Sequence, residues 1–165
     1  ARVTHPPGFA HRPVTDSYRE LAVNLAVGFR CLSAVVKGLS ERRWGRVIWI
    51  SSVAGKQGGG IIGTAHYAAS KAAVIGLCQA AARELGPYGI TSNAIAPGFI
   101  LTGIATRAVD AKTEREMDEM ISAQAPMRRS GLPDDVAVAA AFFASEEAGY
   151  ITGEVMDVNG GIYFD

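Results

Sequence analysis

Tyr67 and Lys71 stand four residues apart in an apolar stretch that reads as helix. At that spacing their side chains share one face, one turn from each other. A phenol titrates at about 10 and a neighbouring ammonium favours the phenolate, so the pair has the makings of a general acid/base. The same spacing fits an exposed tyrosine beside a solvated lysine, and the surroundings must decide. Ser51 and Ser52 follow an apolar run, at the end of a buried strand where open α/β sheets place their ligands. Adjacent strand residues point to opposite faces, so only one of the two hydroxyls is expected to reach such a site. Asn24 interrupts an apolar helical pattern. An asparagine there lowers helix propensity, and a buried amide must find partners, which marks a special role or an amide bridging helix and strand. His66, beside Tyr67, is expected to line the pocket or start the helix. His5 and His11 have no carboxylate or thiol at metal-ligand spacing.

The elements that must position these residues follow from local pattern. Thr15 is placed to cap a helix whose inward face carries Leu21, Leu25, Phe29, Leu32 and Val36, with Gly45 as its stop. Residues 46–51 are rich in β-branched and aromatic side chains and read as a strand covered on both faces, as in a parallel sheet. Gly58, Gly59 and Gly60 make a loop, and a helix spans about 66–85, ended by Gly86 and Pro87. That helix carries only Lys71, Arg83 and Glu84 as charges, so more than one side of it must be covered, naturally by a partner subunit. Residues 90–96 read as a second buried strand, broken by Pro97-Gly98, and a polar helical stretch over 111–123 resembles a lid. Pro133 with Asp134 and Asp135 opens a helix to about 144, and Val155 to Val158 closes as a strand. Alternating helices and strands define a layered α/β domain with right-handed crossovers.

Composition narrows the function classes. Sixteen basic and sixteen acidic residues cancel, which removes the field that nucleic acid or an anionic membrane would require of a partner. The longest apolar run, 136–144, is too short to cross a bilayer. Cys31 and Cys78 fall in apolar helices and read as buried, reduced thiols, in keeping with a cytoplasmic protein. The length suits one domain. The first residues read like the middle of a longer chain, without the pattern of a cleaved leader.

Taken in order, Ser52-Val53-Ala54-Gly55, Tyr67-Ala68-Ala69-Ser70-Lys71, Asn93 to Gly98, Thr152-Gly153 and Asn159-Gly160-Gly161 resemble the short-chain dehydrogenase/reductase superfamily over nearly the whole chain. The nearest flavour is its 3-oxoacyl-[acyl-carrier-protein] reductase-like enzymes. The resemblance implies the C-terminal part of a doubly wound, Rossmann-type parallel sheet, residues 1–165 forming one partial domain. It also implies hydride transfer between NAD or NADP and a small-molecule carbonyl or secondary alcohol, and a homo-oligomer, dimer or tetramer. Tyr67 would then be the proton donor or base, Lys71 its tuning partner and ribose ligand, Ser52 the hydroxyl on the substrate oxygen, and Asn24 the relay amide. Pro97, Gly98, Ile100 and Thr102 match the loop beside the nicotinamide. Two departures stand out. Fourteen residues separate Ser52 from Tyr67, more than the family usually has. The T-G-x-x-x-G-x-G loop that would hold the pyrophosphate at a helix N-terminus is absent from these residues, and with its strand the position that separates NAD from NADP. A rival reading is a non-catalytic remnant serving only as an assembly or binding subunit.

Overall fold

Three apolar runs become three parallel strands: β1 (Gly45–Ile50), β2 (Ile90–Pro97) and β3 (Val155–Val158), side by side in the order β1-β2-β3. The structure is a computed structural model and describes residues 13–59, 64–102 and 111–164. β1 pairs with β2 from Gly45 opposite Ile90 to Ile50 opposite Ile95. β2 pairs with β3 from Ala94 opposite Val155 to Pro97 opposite Val158. All three strands therefore end on the same edge, at Ser51, Gly98 and Asn159. The central strand is buried from Ile90 to Ala96, whereas the first is an edge strand among the described residues. Gly45 and Trp49 are buried in it, but Ile50 is 48% exposed, so the expected two-sided cover fails at its end.

Alternation along the strands divides the core in two. Trp49, Ile90 and Ala94 face the helices α2 (Val27–Arg42) and α4 (Ala65–Leu85), packing with Val74, Cys78, Ala81 and Leu85, while α1 (Val14–Leu21) lies against α4. Ile95 faces α6 (Pro133–Ala144) on the other side, with Ala139, Phe143 and Ala148. Helices on both faces of a parallel sheet make this the doubly wound α/β arrangement expected. The indole of Trp49 donates to Ser92 Oγ at 2.9 Å, and that hydroxyl donates to the Cys78 carbonyl at 2.9 Å, so one buried chain of bonds joins β1, β2 and α4.

α1, a π-helical turn (Ala22–Ala26) and α2 run on as one helix, Val14–Arg42. Several expectations are corrected along it. Thr15 lies within the first turn and makes no cap; Pro13, extended at φ −66° and ψ 143°, precedes the helix. The helix stops at Arg42, before Gly45, because Arg43 adopts the left-handed conformation at φ 52° and donates its guanidinium to the Pro87 carbonyl at 2.9 Å. Leu25, Leu32 and Val36 face the core as expected, but Phe29 is exposed. The contact is centred on Gly28, where a Cβ would lie 2.9 Å from the Trp49 ring, and this turns Phe29 to the flank. Cys78 is buried, and burial pushes its thiol up; Cys31 is exposed, on the face of α2 that the sheet does not cover. By length and composition Val14–Arg42 would also suffice to cross a membrane, contrary to the estimate from the longest apolar run. Leu25, Leu32, Val36 and Leu39 are partly buried against the sheet, and no residue of the helix is fully buried.

The remaining elements include one that the pattern did not announce, the five-residue helix α3 (Val53–Gln57). The polar stretch forms α5 (Ala111–Gln124), where Ile121 is buried and Asp118 accepts hydrogen bonds from Ser122 and Ser130. α6 starts at Pro133, and the Asp135 carboxylate accepts from Leu132 N at 2.7 Å. His5, His11 and Gly60 lie outside the described residues.

An edge strand ending in an exposed Ile50 is a template for pairing with another chain. The 165-residue chain on its own should therefore self-associate at micromolar concentration, as static light scattering would register, and Ile50→Lys should reduce the association. A monodisperse monomer from the unmodified chain would contradict this.

Candidate active site

The end of β1 and one turn of α4 are joined twice. Ser51 Oγ donates to the Lys71 carbonyl at 2.8 Å, and Lys71 Nζ donates to the Ile50 carbonyl at 2.9 Å. Thr64 caps α4 by accepting from Tyr67 N at 3.4 Å, which starts the helix in time to set Tyr67 one turn before Lys71. The Lys71 ammonium then lies 5.7 Å from the centroid of the Tyr67 ring. Burial pulls the Lys71 ammonium below the ordinary lysine range. The expected pair is thus assembled at the carboxyl edge of the sheet.

Asn24 joins it through a residue the sequence reading passed over. Its Nδ2 donates to Ser70 Oγ at 3.0 Å, and Ser70 Oγ donates to the Tyr67 carbonyl at 2.8 Å. Ser70 is fully buried, and its signal was its place three residues after Tyr67 on the same helix. The Asn24 amide therefore bridges two helices, not helix and strand as one alternative had it. It sits in the π-helical turn, a local widening that is frequent at functional sites. Asn24 and Tyr67 line one open cleft of about 550 Å³ with Asp16, Arg19, Glu20 and Val23. His66 starts the helix beside Tyr67 and does not line that cleft; its Nδ1 meets Ser17 Oγ at 2.5 Å.

Of the two serines, Ser51 is spent on α4, whereas Ser52 Oγ accepts from Ala54 N at 3.2 Å as the cap of α3. A hydroxyl used as acceptor keeps its own proton for donation. Pro97 and Gly98 form the exit of β2: Gly98 N donates to the Val158 carbonyl at 3.0 Å, and a Cβ on Gly98 would lie 3.0 Å from Asn159. Ile100 bridges to Gly131, and Thr102 is exposed and does not line the cleft of Tyr67.

The other quoted motifs serve the scaffold. Asn93, fully buried, donates to the Ile151 carbonyl at 2.8 Å and accepts from Glu154 N at 3.0 Å, while Thr152 Oγ1 accepts from Ser92 N at 3.0 Å. Asn159 Oδ1 accepts from Gly161 N, closing the turn after β3. A second cavity, of about 540 Å³, lies beyond that turn against Met127, Arg129, Tyr163 and Phe164, and none of the candidate site residues lines it. Among the described residues no group of three His, Cys, Asp or Glu side chains is placed to hold a metal.

Fold and site together define a doubly wound α/β domain with a phenol and an ammonium on one helix face at the carboxyl edge of its sheet. A family model described as enoyl-(acyl carrier protein) reductase matches residues 5–163, and the chain belongs to that family, within the short-chain dehydrogenases/reductases. It is 44% identical over 164 residues to the (3R)-3-hydroxyacyl-CoA dehydrogenase of Homo sapiens, a match covering 99% of this chain and 60% of the relative. It is 46% identical over 143 residues to the 3-oxoacyl-[acyl-carrier-protein] reductase FabG of Escherichia coli K12, covering 87% of this chain and 56% of the relative. Among solved structures, a 3-oxoacyl-[acyl-carrier protein] reductase with bound NAD from Brucella melitensis superposes with a TM-score of 0.84 at 34% identity, covering 100% of this chain and 58% of that one. The chain thus spans about 60% of the length of the human relative.

The lowered pKa of Lys71 has a sign that can be measured. Its folded state holds the proton less tightly than the unfolded chain, so the group favours folding above the ordinary lysine value and disfavours it as pH falls below. An NMR titration of the Lys71 side chain should give a midpoint below that of a lysine peptide; a midpoint at or above it would show that burial is not what governs this ammonium.

Proposed function

We propose that this chain supplies the acid/base half of an NAD(P)-dependent oxidoreductase, moving a hydride between NAD or NADP and a carbonyl or secondary alcohol. The observation that carries the reading is the Lys71 ammonium, 5.7 Å from the Tyr67 ring and bonded to the last carbonyl of β1. In this reading residues 1–165 are one partial domain, and a Gly-rich strand-loop-helix elsewhere in the whole protein holds the pyrophosphate. The names of the human and Escherichia coli relatives support a 3-hydroxyacyl or 3-oxoacyl thioester as substrate class.

The residues present suit the nicotinamide end of such a cofactor. A half-buried ammonium and a phenol on one helix face offer the donors that ribose hydroxyls need, and the exit of β2 has no room for a side chain at Gly98. When bound, the cofactor supplies or accepts the hydride. Lys71 and Tyr67 would hold its ribose, and Pro97, Gly98, Ile100 and Thr102 would stand on its nicotinamide side. Tyr67 gives its phenolic proton to the carbonyl oxygen in reduction and takes it back in oxidation. Lys71 places its ammonium on the same helix face, 5.7 Å from the Tyr67 ring. Ser52 donates a hydrogen bond to the same substrate oxygen, and Asn24, fixed by Ser70, relays the proton from the cleft.

In the whole protein, Tyr67→Phe should lower kcat by about 10²–10⁴-fold while cofactor affinity stays near that of the unmodified enzyme, because only the proton is lost. Lys71→Ala should weaken both. Steady-state kinetics with cofactor titrations separate the two, and near-normal turnover by Tyr67→Phe would sink the mechanism.

The same reading makes the protein a cytoplasmic homo-oligomer, dimer or tetramer. The first helix leaves Val23, Val27, Phe29 and Val35 exposed, and α4 leaves Ala69, Ala72, Gly76 and Ala80 exposed beside them, a weakly charged surface suited to a second copy. Nothing lies within 4 Å of a Cβ built on Gly76, so Gly76→Glu should leave the fold intact and dissociate the oligomer in analytical ultracentrifugation. An unmodified protein that sediments as a monomer would refute this interface.

A further inference from the structure

A five-residue helix cannot hold itself, since nucleation costs more than so few hydrogen bonds return. α3 is nevertheless fixed on three sides. Ser52 caps it, accepting from Ala54 N at 3.2 Å. Gly55 lies directly on the backbone of α4, where a Cβ would come within 2.7 Å of the Lys71 carbonyl carbon and 2.8 Å of Ala72 N. On the opposite side the Lys56 ammonium donates to Asp157 Oδ2 at 2.6 Å and stands 5.5 Å from the centroid of the Tyr163 ring. The side chains of this pair are only 9% and 20% exposed. Asp157 belongs to β3, opposite Ala96 and one residue before Val158, whose carbonyl receives Gly98 N.

An ion pair so enclosed must offset the loss of hydration of both charges, and an apolar pair of similar volume often stabilises a fold as well or better. Stability alone therefore gives a weak account of it. Its placement gives a stronger one. α3 is a wedge between the helix that carries Tyr67 and Lys71 and the strand that backs Pro97 and Gly98, and the hydroxyl of Ser52 is its cap.

We infer that Lys56 and Asp157 are a positioning pair: by seating α3 between α4 and β3, they fix the Ser52 hydroxyl at its distance from Tyr67 and Lys71 and from the Pro97-Gly98 turn. The inference rests on the oxidoreductase reading for its kinetic consequence. Neither residue lines the cleft of Tyr67. Lys56 acts through Ser52, and Asp157 acts through Lys56.

The test uses the whole protein with Lys56→Met, Lys56→Arg and Asp157→Asn. Kinetics are measured with an acetoacetyl thioester and each reduced cofactor, and amide hydrogen exchange is followed over residues 52–58. Lys56→Met should lower kcat by about 10–100-fold, the cost of a misplaced catalytic group, with the KM of the cofactor nearly unchanged. It should also speed exchange in α3. Lys56→Arg should restore most of the rate. If Lys56→Met is not recovered folded, Asp157→Asn, which keeps the shape and a hydrogen bond, is read in the same way. A variant that melts at lower temperature yet keeps its kcat per folded molecule would overturn the positioning role, leaving the pair merely structural. Absence of turnover in the unmodified protein would instead reject the oxidoreductase reading. Exchange then decides alone: unchanged protection in Lys56→Met overturns the clamp, and lost protection supports it.

Discussion

Lys71 is bonded through both its backbone and its side chain to two consecutive residues at the end of one strand. Its carbonyl takes the Ser51 hydroxyl, and its ammonium reaches the Ile50 carbonyl. Two bonds to adjacent residues fix both how far α4 slides along the sheet and how it is rotated. Everything one turn away inherits that setting: Tyr67 toward the cleft, Ser70 toward Asn24, Gly55 against the helix backbone. The ammonium meets its carbonyl where burial weakens its hold on the proton, so one contact sets geometry and electrostatics together.

Such a close seat requires small side chains. The buried residues of α4 are Ala68, Ser70, Val74, Cys78, Ala81, Ala82 and Leu85, most of them short enough for the helix to lie near the sheet. Trp49 supplies the bulk from the strand side, with its indole proton satisfied by Ser92, and Gly28 makes room for its ring. Bulk and vacancy are thus exchanged between neighbouring elements, as close-packed interiors require. The polar groups drawn inside, Asn93 and Ser92 above all, are held by the turn at 151–154 and by α4.

What the sequence made legible was what is locally encoded. Pro133 followed by two aspartates marked the start of α6, and the β-branched runs marked all three strands, because each signal lies within a few residues of its effect. Tyr67 and Lys71 were legible for the same reason, as a spacing on one helix. α3 was not, since what holds it is a pair of residues 101 positions apart. Phe29 was assigned inward because periodicity locates a face only to within a side chain, and the Gly28 contact with Trp49 settled the remainder. Ser70 stood inside a motif quoted for its neighbours. Its buried bond to Asn24 depends on how two helices approach, which no local pattern records. The run that forms β1 reads as covered on both faces, yet Ile50 at its end is exposed, because cover there must come from elements far away in sequence.

The π-helical turn at Ala22–Ala26 amounts to one residue more than an α-helix would use over the same rise. Upstream of it the helix keeps step with the start of α4, through Ser17 and His66; downstream it keeps step with the sheet, through Leu32 and Val36. The surplus residue is taken up locally, as a widening of the helix at Asn24. A chain one residue shorter in this turn would close into ordinary α-helix over the same rise, keeping both sets of partners and losing only the widening at Asn24.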